Sequence, residues 1–454
     1  MTATRRRFLQ SGAGLPFVGL TPSQLPKGLA TRPVPVANSD SLEAVRAAFA
    51  RAGRLSSDQA AQDESLWAEV VKAFPADPEY VNLWSIGRGT CTRAVADAVA
   101  EIYRGLNAHF PGSNYVKAQK EPIRKRLASY VGCAPEELAL TRNTTDGVTT
   151  VLLGFKLKEG DEILTTSQEH EGFYGPLDQR QRRDGVIVRR VRLPAPAKVP
   201  DELAEAIEKA VSPRTRLIMI CHLYLTGQIF PVRRVCDFAH ARDIRVLVDG
   251  ALSFGQIKVD IKQLDCDFYA ASLHKCGSGP TGTGFFYVKP ELVASLPPLY
   301  GYFENDTLQP MNDGTRMEKY ERTGTQAEAI VLAIAPMLDL LEAIGAERIQ
   351  ARLHYLKQYW AKQVEQENGI KFMASLDPNL SCSLLAFEVQ GKKWTEVSVP
   401  LRKQKILLSG AYLEGEFGKR ETWREPILSN PAIFTALPEL DRFVKALKNV
   451  IHNA

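Results

Sequence analysis

The middle of the chain alternates between short apolar runs and segments with helical spacing. The runs at 217–220 and 244–248 are almost continuously apolar, which is typical of strands buried on both faces of a sheet. Helical segments, for example 201–211 and 232–243, lie between them. The pattern predicts strands at 138–141, 162–165, 186–192, 216–221, 244–249, 267–271 and 284–288. We therefore expect an α/β fold with a mostly parallel seven-stranded sheet wrapped by helices.

Helical patterns flank this region on both sides. Before it, they cover 41–75, 93–106 and 114–131; after it, they cover 326–344, 346–366 and 436–452, with the strand-like stretches SCSLLAFEV and KILLSG in between. The second group predicts a smaller C-terminal α+β domain. We expect four parts: a leader and linker at 1–37, an N-terminal segment at 38–95 that packs on the small domain, a large domain at 96–326 and the small domain at 327–454.

Composition and charge exclude several classes of protein. The 454 residues are 44% hydrophobic and 24% charged, which is ordinary for a globular enzyme. No run of about 18 apolar residues occurs, so we expect no stable membrane association. The net charge is +5, but residues 1–30 contribute four of these charges, so the rest of the chain gives little reason to expect a nucleic-acid partner. Seven cysteines without a CxxC pair argue against a disulfide framework or a metal site.

The first residues resemble a twin-arginine export signal. TRRRFLQ at 4–10 places three arginines before Phe-Leu, and a weakly hydrophobic stretch broken by glycines and a proline follows at 11–20. The resemblance implies export of the folded protein to the periplasm by the twin-arginine translocase. A folded export route also implies that any tightly held cofactor is loaded first. The alternative is a disordered basic tail.

Polar residues with catalytic potential cluster after the predicted strands. Asp249 ends the strand IRVLVDG, at the edge where ligands bind in a doubly wound sheet. The strand DFYAAS leads into the glycine-rich GPTGTG through three polar side chains, Ser272, His274 and Lys275. TRNTTDG lies between a strand and a helix, so Thr144 and Thr145 offer hydroxyls and backbone N–H groups to a phosphate. The common order of these features along one chain points to a phosphate-bearing ligand held beside a lysine and a carboxylate.

The segments TRNTTDGV, SQEHEGFYGP, IRVLVDGA, DFYAASLHK, GPTGTGFFYV and YERTGTQ resemble class V aminotransferases, which are fold-type I pyridoxal-phosphate (PLP) enzymes. The isopenicillin-N-epimerase-like and cysteine-desulfurase-like branches are the most similar. The resemblance implies an internal aldimine on Lys275, a partner for the ring nitrogen in Asp249 and an imidazole stacked on the ring in His170. It also implies a homodimer with shared active sites, and phosphate contacts from Thr144, Thr145, Ser272, His274 and, toward the neighbouring subunit, Thr325.

Two departures from the family pattern concern the cofactor and the substrate. Leu252 stands where the family often has Gln or His on the cofactor's phenolic oxygen, so we expect Tyr224 to supply that hydrogen bond, unless it is a packed loop tyrosine. An arginine that binds the α-carboxylate usually precedes a Ser/Asn-rich turn, and here Arg424 is displaced by about three positions. We keep Arg424 as a candidate substrate ligand, together with Trp84 and Arg88, for which the alternative is a place in the core.

A third departure concerns sulfur chemistry. Desulfurases carry a mobile cysteine in the small domain, whereas the comparable stretch LLSGAYLE has none, and Cys382 lies in an apparent strand. The persulfide route is therefore disfavoured.

The sequence predicts an exported PLP enzyme that acts on an amino group of an amino acid or of an amine-bearing secondary metabolite. Aminotransferase chemistry is the leading interpretation, with Lys275 as the general base once the substrate has released it. The leader favours tailoring of a secreted metabolite such as a siderophore. Epimerisation or racemisation and C–S lysis are the alternatives, and a non-catalytic protein of the same fold is a further one.

Overall fold

The structure, a computed structural model, describes residues 40–109, 113–300, 316–411, 413 and 424–452. The leader expected at 1–37 lies outside these ranges. The chain begins with three helices, α1 (Asp40–Arg51), α2 (Ser57–Gln62) and α3 (Glu64–Ala73), followed by the short strand β1 (Val81–Asn82) and by α4 (Arg93–His109) and α5 (Ser113–Tyr130). β1 pairs in parallel with the strand Ile406–Leu407, which ties the N-terminal segment to the C-terminal part of the chain.

The large sheet follows the predicted strand-and-helix order. Its elements are β2 (Leu138–Thr141), α6 (Thr144–Gly154), β3 (Glu162–Thr166), α7 (Tyr174–Asp184), β4 (Ile187–Val191), α8 (Pro200–Ala210), β5 (Thr215–Cys221), α9 (Val232–His240), β6 (Arg245–Asp249), α10 (Ile261–Leu264), β7 (Phe268–Ser272), β8 (Gly284–Val288) and α11 (Pro290–Val293). Each of the seven strands coincides with a predicted one to within one residue at either end.

The seven strands lie in the order β2-β8-β7-β6-β5-β3-β4. β8 runs antiparallel to both of its neighbours, and the other pairs are parallel. The predicted mostly parallel α/β sheet is therefore confirmed. Because β3, β5, β6 and β7 share one direction, their carboxyl ends meet at one edge of the sheet.

The apolar runs are continuous because both faces of the sheet are covered. Along β5, Leu217 and Met219 pack into one hydrophobic cluster and Ile218 and Ile220 into another. Successive side chains of a strand point to opposite faces, so a strand between two apolar layers needs apolar residues at every position.

The C-terminal part contains a smaller antiparallel sheet with helices. Its elements are α12 (Glu328–Leu332), α13 (Ile334–Ile344), α14 (Ala346–Val364), β9 (Ile370–Phe372), β10 (Leu385–Val389), α15 (Trp394–Lys403), β11 (Ile406–Leu407), β12 (Ser409–Gly410), β13 (Ile427–Ser429) and α16 (Leu437–His452). The four strands lie in the order β12-β13-β10-β9. This sheet matches the expected α+β character, and the domain boundaries remain predictions.

The single helix predicted at 326–344 is wrong. The structure has two helices, α12 and α13, separated at Ala333. Pro336 explains the break, because proline has no N–H to donate to the carbonyl of Leu332 and its ring crowds that carbonyl. Within the described ranges no single helix is long and apolar enough to span a membrane, although Glu328–Ile344 and Ala346–Val364, bent by 77°, pass that test together by length and composition.

Candidate active site

Asp249 lies at the carboxyl end of β6, where its carboxylate faces the edge of the sheet. The residue is 4% exposed, and its Oδ1 accepts a hydrogen bond of 2.8 Å from the Ala251 N–H. Burial raises the pKa of Asp249, while that hydrogen bond and the nearby charge of Lys275 act in the opposite direction. The Ala251 N–H and the Lys275 amino group therefore favour its ionised form.

Lys275 lies in the turn that follows β7, and two glycines fix the backbone of this turn. The Gly89 N–H donates to the carbonyl oxygen of His274 at 2.9 Å, and a Cβ at Gly89 would lie 2.0 Å from the carbonyl oxygen of Lys275. Gly255 has a φ of +81°, and a Cβ there would lie 2.4 Å from the Gly277 nitrogen. Within the described ranges, the Lys275 amino group forms no hydrogen bond or ion pair, which leaves it available to a carbonyl compound.

The amino end of α6 forms a cradle with the residues after β7. The Thr144 N–H donates to Ser272 Oγ at 3.0 Å, and the two hydroxyls are 2.8 Å apart. His274 contacts the Thr283 carbonyl oxygen through Nδ1 at 2.9 Å, so this nitrogen is the protonated one. A helix amino terminus beside two hydroxyls is a site for a phosphate. Gly147 allows this approach, because a Cβ there would lie 2.7 Å from the Ala270 side chain.

His170 lies just beyond β3. Its Nδ1 accepts a hydrogen bond of 3.0 Å from the Gly172 N–H, which places any ring proton on Nε2. Burial lowers the pKa of His170, and the neighbouring charge of Lys275 lowers it further. The imidazole is therefore neutral near pH 7.

One cavity of about 640 Å³ brings these side chains together. Eight of the predicted site residues line it: Trp84, Thr144, Thr145, His170, Asp249, Ser272, His274 and Lys275. A phosphate cradle, a free amine and a buried carboxylate thus open into the same space.

Comparison with known proteins identifies the origin of this arrangement. Residues 83–416 match the family model described as aminotransferase class-V. The chain belongs to the aminotransferase class-V family. It is 32% identical to isopenicillin N epimerase of Amycolatopsis lactamdurans over 71% of this chain and 84% of that protein. It is 29% identical to a probable cysteine desulfurase of Halalkalibacterium halodurans, over 71% of this chain and 82% of that protein.

Solved structures share the fold of this class V protein. The cysteine desulfurase CsdA of Escherichia coli superimposes with a TM-score of 0.74 at 23% identity, covering 85% of this chain and 98% of that one. A C-DES variant with glycine covalently linked to its PLP cofactor gives a TM-score of 0.74 at 22% identity, covering 83% and 98%. The fold is therefore that of the fold-type I PLP-dependent enzymes.

PLP is the cofactor of this class V chain, and the residues in the cavity fit its parts. The cradle at the amino end of α6 suits the phosphate. Lys275 presents an amine to the aldehyde, and the buried carboxylate of Asp249 suits a protonated ring nitrogen. The described residues contain no cluster of His, Cys, Asp and Glu side chains that could hold a metal ion.

The expectation that Tyr224 reaches the cofactor is wrong. Tyr224 is fully buried outside the lining of the cavity. Its hydroxyl donates to Glu169 Oε1 at 3.1 Å and accepts from the Cys221 N–H at 3.3 Å. The turn after β5 buries the Tyr224 ring, and the hydrogen bonds with Glu169 and Cys221 occupy its hydroxyl. Leu252 does line the cavity.

The structure places Arg424 and Arg88 away from the lining of the main cavity. Arg424 forms a two-point ion pair with Glu388 of β10, with contacts of 2.7 and 2.5 Å. It lines a separate cavity of about 380 Å³ beside Gln168 and Arg192. Its guanidinium is therefore matched by a carboxylate of the protein itself. Arg88 is exposed and does not line the main cavity.

Two further expectations concern Trp84 and Thr325. Trp84 lines the main cavity and remains 43% exposed, which excludes the alternative of a core residue. Thr325 is exposed and lies away from the lining of the cavity in this chain. Its expected contact with a neighbouring subunit stays a prediction.

Cys382 does not lie in a strand, since β10 begins at Leu385. Its thiol is buried and contacts the Gln256 carbonyl oxygen at 3.0 Å, and burial raises its pKa to about 12. A cysteine that forms a persulfide must be exposed and readily deprotonated. Cys382 has neither property.

Sequence reasoning missed two residues of this site, Glu169 and Cys221. Both line the cavity and are buried, and their side chains are 2.9 Å apart. The available signal was an acidic residue placed directly before His170 and after a buried strand. A charged residue in that position needs a partner or a function.

Proposed function

We propose that this protein is a PLP-dependent enzyme that moves a proton at the amino-bearing carbon of an amino acid or amine, with transamination as the overall reaction. The observation that carries the proposal is the joint presence of Lys275, Asp249 and the phosphate cradle in one cavity. When bound, PLP supplies an electron sink for the amino-bearing carbon of the substrate. The residues of the chain then decide where protons are held and moved.

With PLP bound, Lys275 Nζ would take the proton from the amino-bearing carbon of the substrate and deliver it to the carbon of the former PLP aldehyde. With PLP bound, the ionised carboxylate of Asp249, which accepts a hydrogen bond from the Ala251 N–H, would hold a proton on the ring nitrogen. The amino end of α6, with Thr144 and Ser272, anchors the phosphate so that the reacting atoms keep a fixed distance from the lysine. His170, which is neutral and lines the cavity, would restrict the position of the ring.

Epimerisation is the second candidate, and the isopenicillin N epimerase relatives favour it. It uses the same proton abstraction and differs in that the proton returns to the substrate carbon from the opposite face. C–S lysis needs the same base. The persulfide form of that reaction lacks support, because no cysteine follows Cys382 in the sequence.

One experiment separates these reactions. Purified protein with PLP is incubated with amino acids and amines in deuterium oxide. Accumulation of pyridoxamine phosphate supports transamination, whereas deuterium at the amino-bearing carbon with inversion and without pyridoxamine phosphate supports epimerisation. Release of sulfide together with a keto acid supports lysis. Borohydride reduction should attach PLP to Lys275, and normal turnover by Lys275→Ala would refute the proposed role of this residue.

The proposal includes a homodimer with shared sites. Thr325 supports it, because this exposed hydroxyl lies in the RTGT segment and outside the cavity of its own chain. Light scattering of the purified protein measures the assembly. If the hydroxyl contacts the neighbouring subunit's phosphate, Thr325→Ala weakens PLP binding without changing the mass of the dimer.

The proposal also includes export by the twin-arginine translocase to the periplasm, and action on a secreted metabolite such as a siderophore. The support is the order of arginines, Phe-Leu and a weakly hydrophobic stretch in residues 4–20. Replacing Arg5, Arg6 and Arg7 with lysines should retain the protein in the cytoplasm, as measured by cell fractionation. Unchanged export of that variant would contradict this part of the proposal.

A further inference from the structure

A buried group of hydrogen-bonding side chains lies in the wall of the main cavity, where Glu169 and Cys221 are both lining residues. Its centre is the carboxyl group of Glu169, a residue that is 5% exposed. Oε1 accepts hydrogen bonds from the Thr166 hydroxyl at 2.9 Å and from the Tyr224 hydroxyl at 3.1 Å. Oε2 accepts from the Cys221 thiol at 2.9 Å. Within the described ranges no cation forms an ion pair with this carboxyl group.

Cys221 connects this carboxyl group to Asp249. The two residues are direct partners in the pairing of β5 with β6, and the Cys221 sulfur lies 3.7 Å from Asp249 Oδ2. A single thiol therefore lies between two buried carboxyl groups that line the same cavity.

The surroundings of the two carboxyl groups differ, and this difference decides which one holds a proton. Asp249 faces the positive charge of Lys275 and the ring of His170 and accepts a backbone hydrogen bond. Glu169 faces Cys221, Tyr224 and the charge of Asp249. Burial raises the pKa of Glu169 to about 7, and the charge of Asp249 acts in the same direction. Two adjacent buried carboxyl groups titrate as a coupled pair, and the proton binds first where no cation competes.

We propose that Glu169 is a positioning residue: its carboxyl group, connected to Asp249 through the Cys221 thiol, holds the proton of the pair and so leaves Asp249 as the ionised carboxylate facing the ring nitrogen. This inference rests on the proposed function, in which Asp249 holds the ring nitrogen. Glu169 acts through Cys221 and Asp249, and its effect is on the protonation of the bound cofactor.

The test follows the visible absorbance of bound PLP against pH in the reconstituted protein. The wild-type titration is expected to show a step near pH 7 in addition to the step of the lysine-bound cofactor. Glu169→Gln keeps the size and an acceptor oxygen of the side chain but removes its titration, so the step near pH 7 should disappear. Glu171→Gln is the matched control, because Glu171 is an exposed carboxylate that lines the same cavity, and this variant should keep the step.

A second variant keeps the test decisive if Glu169→Gln fails to fold. Tyr224→Phe removes one of the three hydrogen bonds that stabilise ionised Glu169, so the step should move to higher pH. A step that persists unchanged in Glu169→Gln, or that stays at the same pH in Tyr224→Phe, would overturn the inference. Loss of the step in Glu171→Gln would do so as well. A protein that stays colourless with PLP would instead refute the proposed function, so the two failures are distinguishable.

Discussion

Glu169→Gln should change how the stability of the protein depends on pH, and the direction follows from the burial of this carboxyl group. In the folded protein the pKa of Glu169 is raised from 4.5 to about 7. Below pH 4.5 the folded and unfolded chains are both protonated at this position. As the pH rises from there to 7, the unfolded chain releases its proton while the folded chain keeps it, so the free energy of unfolding falls.

The size of this effect follows from the difference between the two pKa values. Each pKa unit corresponds to about 1.4 kcal/mol, so a shift from 4.5 to about 7 makes wild type lose about 3 kcal/mol across this range. Glutamine does not titrate. The difference in unfolding free energy, variant minus wild type, should therefore rise by about 3 kcal/mol between pH 4.5 and about pH 8.

The assay is chemical denaturation of the PLP-free chain, followed by circular dichroism at a series of pH values. The difference in unfolding free energy at the lowest pH gives the cost of replacing the carboxyl group that does not depend on pH. The change of this difference with pH tests the raised pKa of Glu169. Glu171→Gln is the control for the removal of an exposed carboxylate from the same cavity. A constant difference for Glu169→Gln, or one that falls as the pH rises, would refute the assignment of a raised pKa to Glu169.

Three other predictions test the packing around Lys275, the ion pair of Arg424 and the buried amino group of Lys357. Gly89→Ala should weaken PLP binding at least about tenfold, because its Cβ would lie 2.0 Å from the carbonyl oxygen of Lys275 and would displace the turn that carries this lysine. Gly105→Ala is the control: its Cβ would have no atom within 4 Å, so the PLP dissociation constant should stay unaltered. Arg424→Ala should lower the unfolding free energy by about 1 kcal/mol, as expected for a partly exposed ion pair, without raising the KM for the amino substrate; a raised KM, or additive losses when it is combined with Glu388→Gln, would contradict the pairing. Burial lowers the pKa of the α14 residue Lys357 from 10.5 to about 8, so the unfolding free energy of Lys357→Met relative to wild type should fall by about 3 kcal/mol as the pH rises from about 8 to 10.5. The loss of the lysine's hydrogen bonds to Ser381 and Leu376 adds a cost that does not change with pH. Denaturation at a series of pH values measures the difference, and a difference that is constant with pH would count against the prediction.

The sequence by itself determined the large sheet and the central chemistry of the site. The strands were predictable because a sheet buried on both faces demands apolar residues at every position, a requirement that is local in the chain. Asp249 and Lys275 were predictable for a related reason, since Asp249 ends β6 and Lys275 lies three residues after the end of β7, and the carboxyl ends of these strands lie at the ligand-binding edge. Two local patterns misled: Pro336 breaks the helix predicted at 326–344, and the strand expected to include Cys382 begins at Leu385.

Only the tertiary structure decided the partners of the polar side chains. Arg424 lies 36 residues from the glutamate that binds it, and the Tyr224 hydroxyl reaches back 55 residues to Glu169. Hydrogen bonds and ion pairs depend on distances of about 3 Å and on direction, and these are set by how strands are ordered in a sheet and how loops fold over it. The sequence shows which residue types are available for catalysis, whereas the fold determines which of them remain free to meet a cofactor and which are already used to satisfy one another.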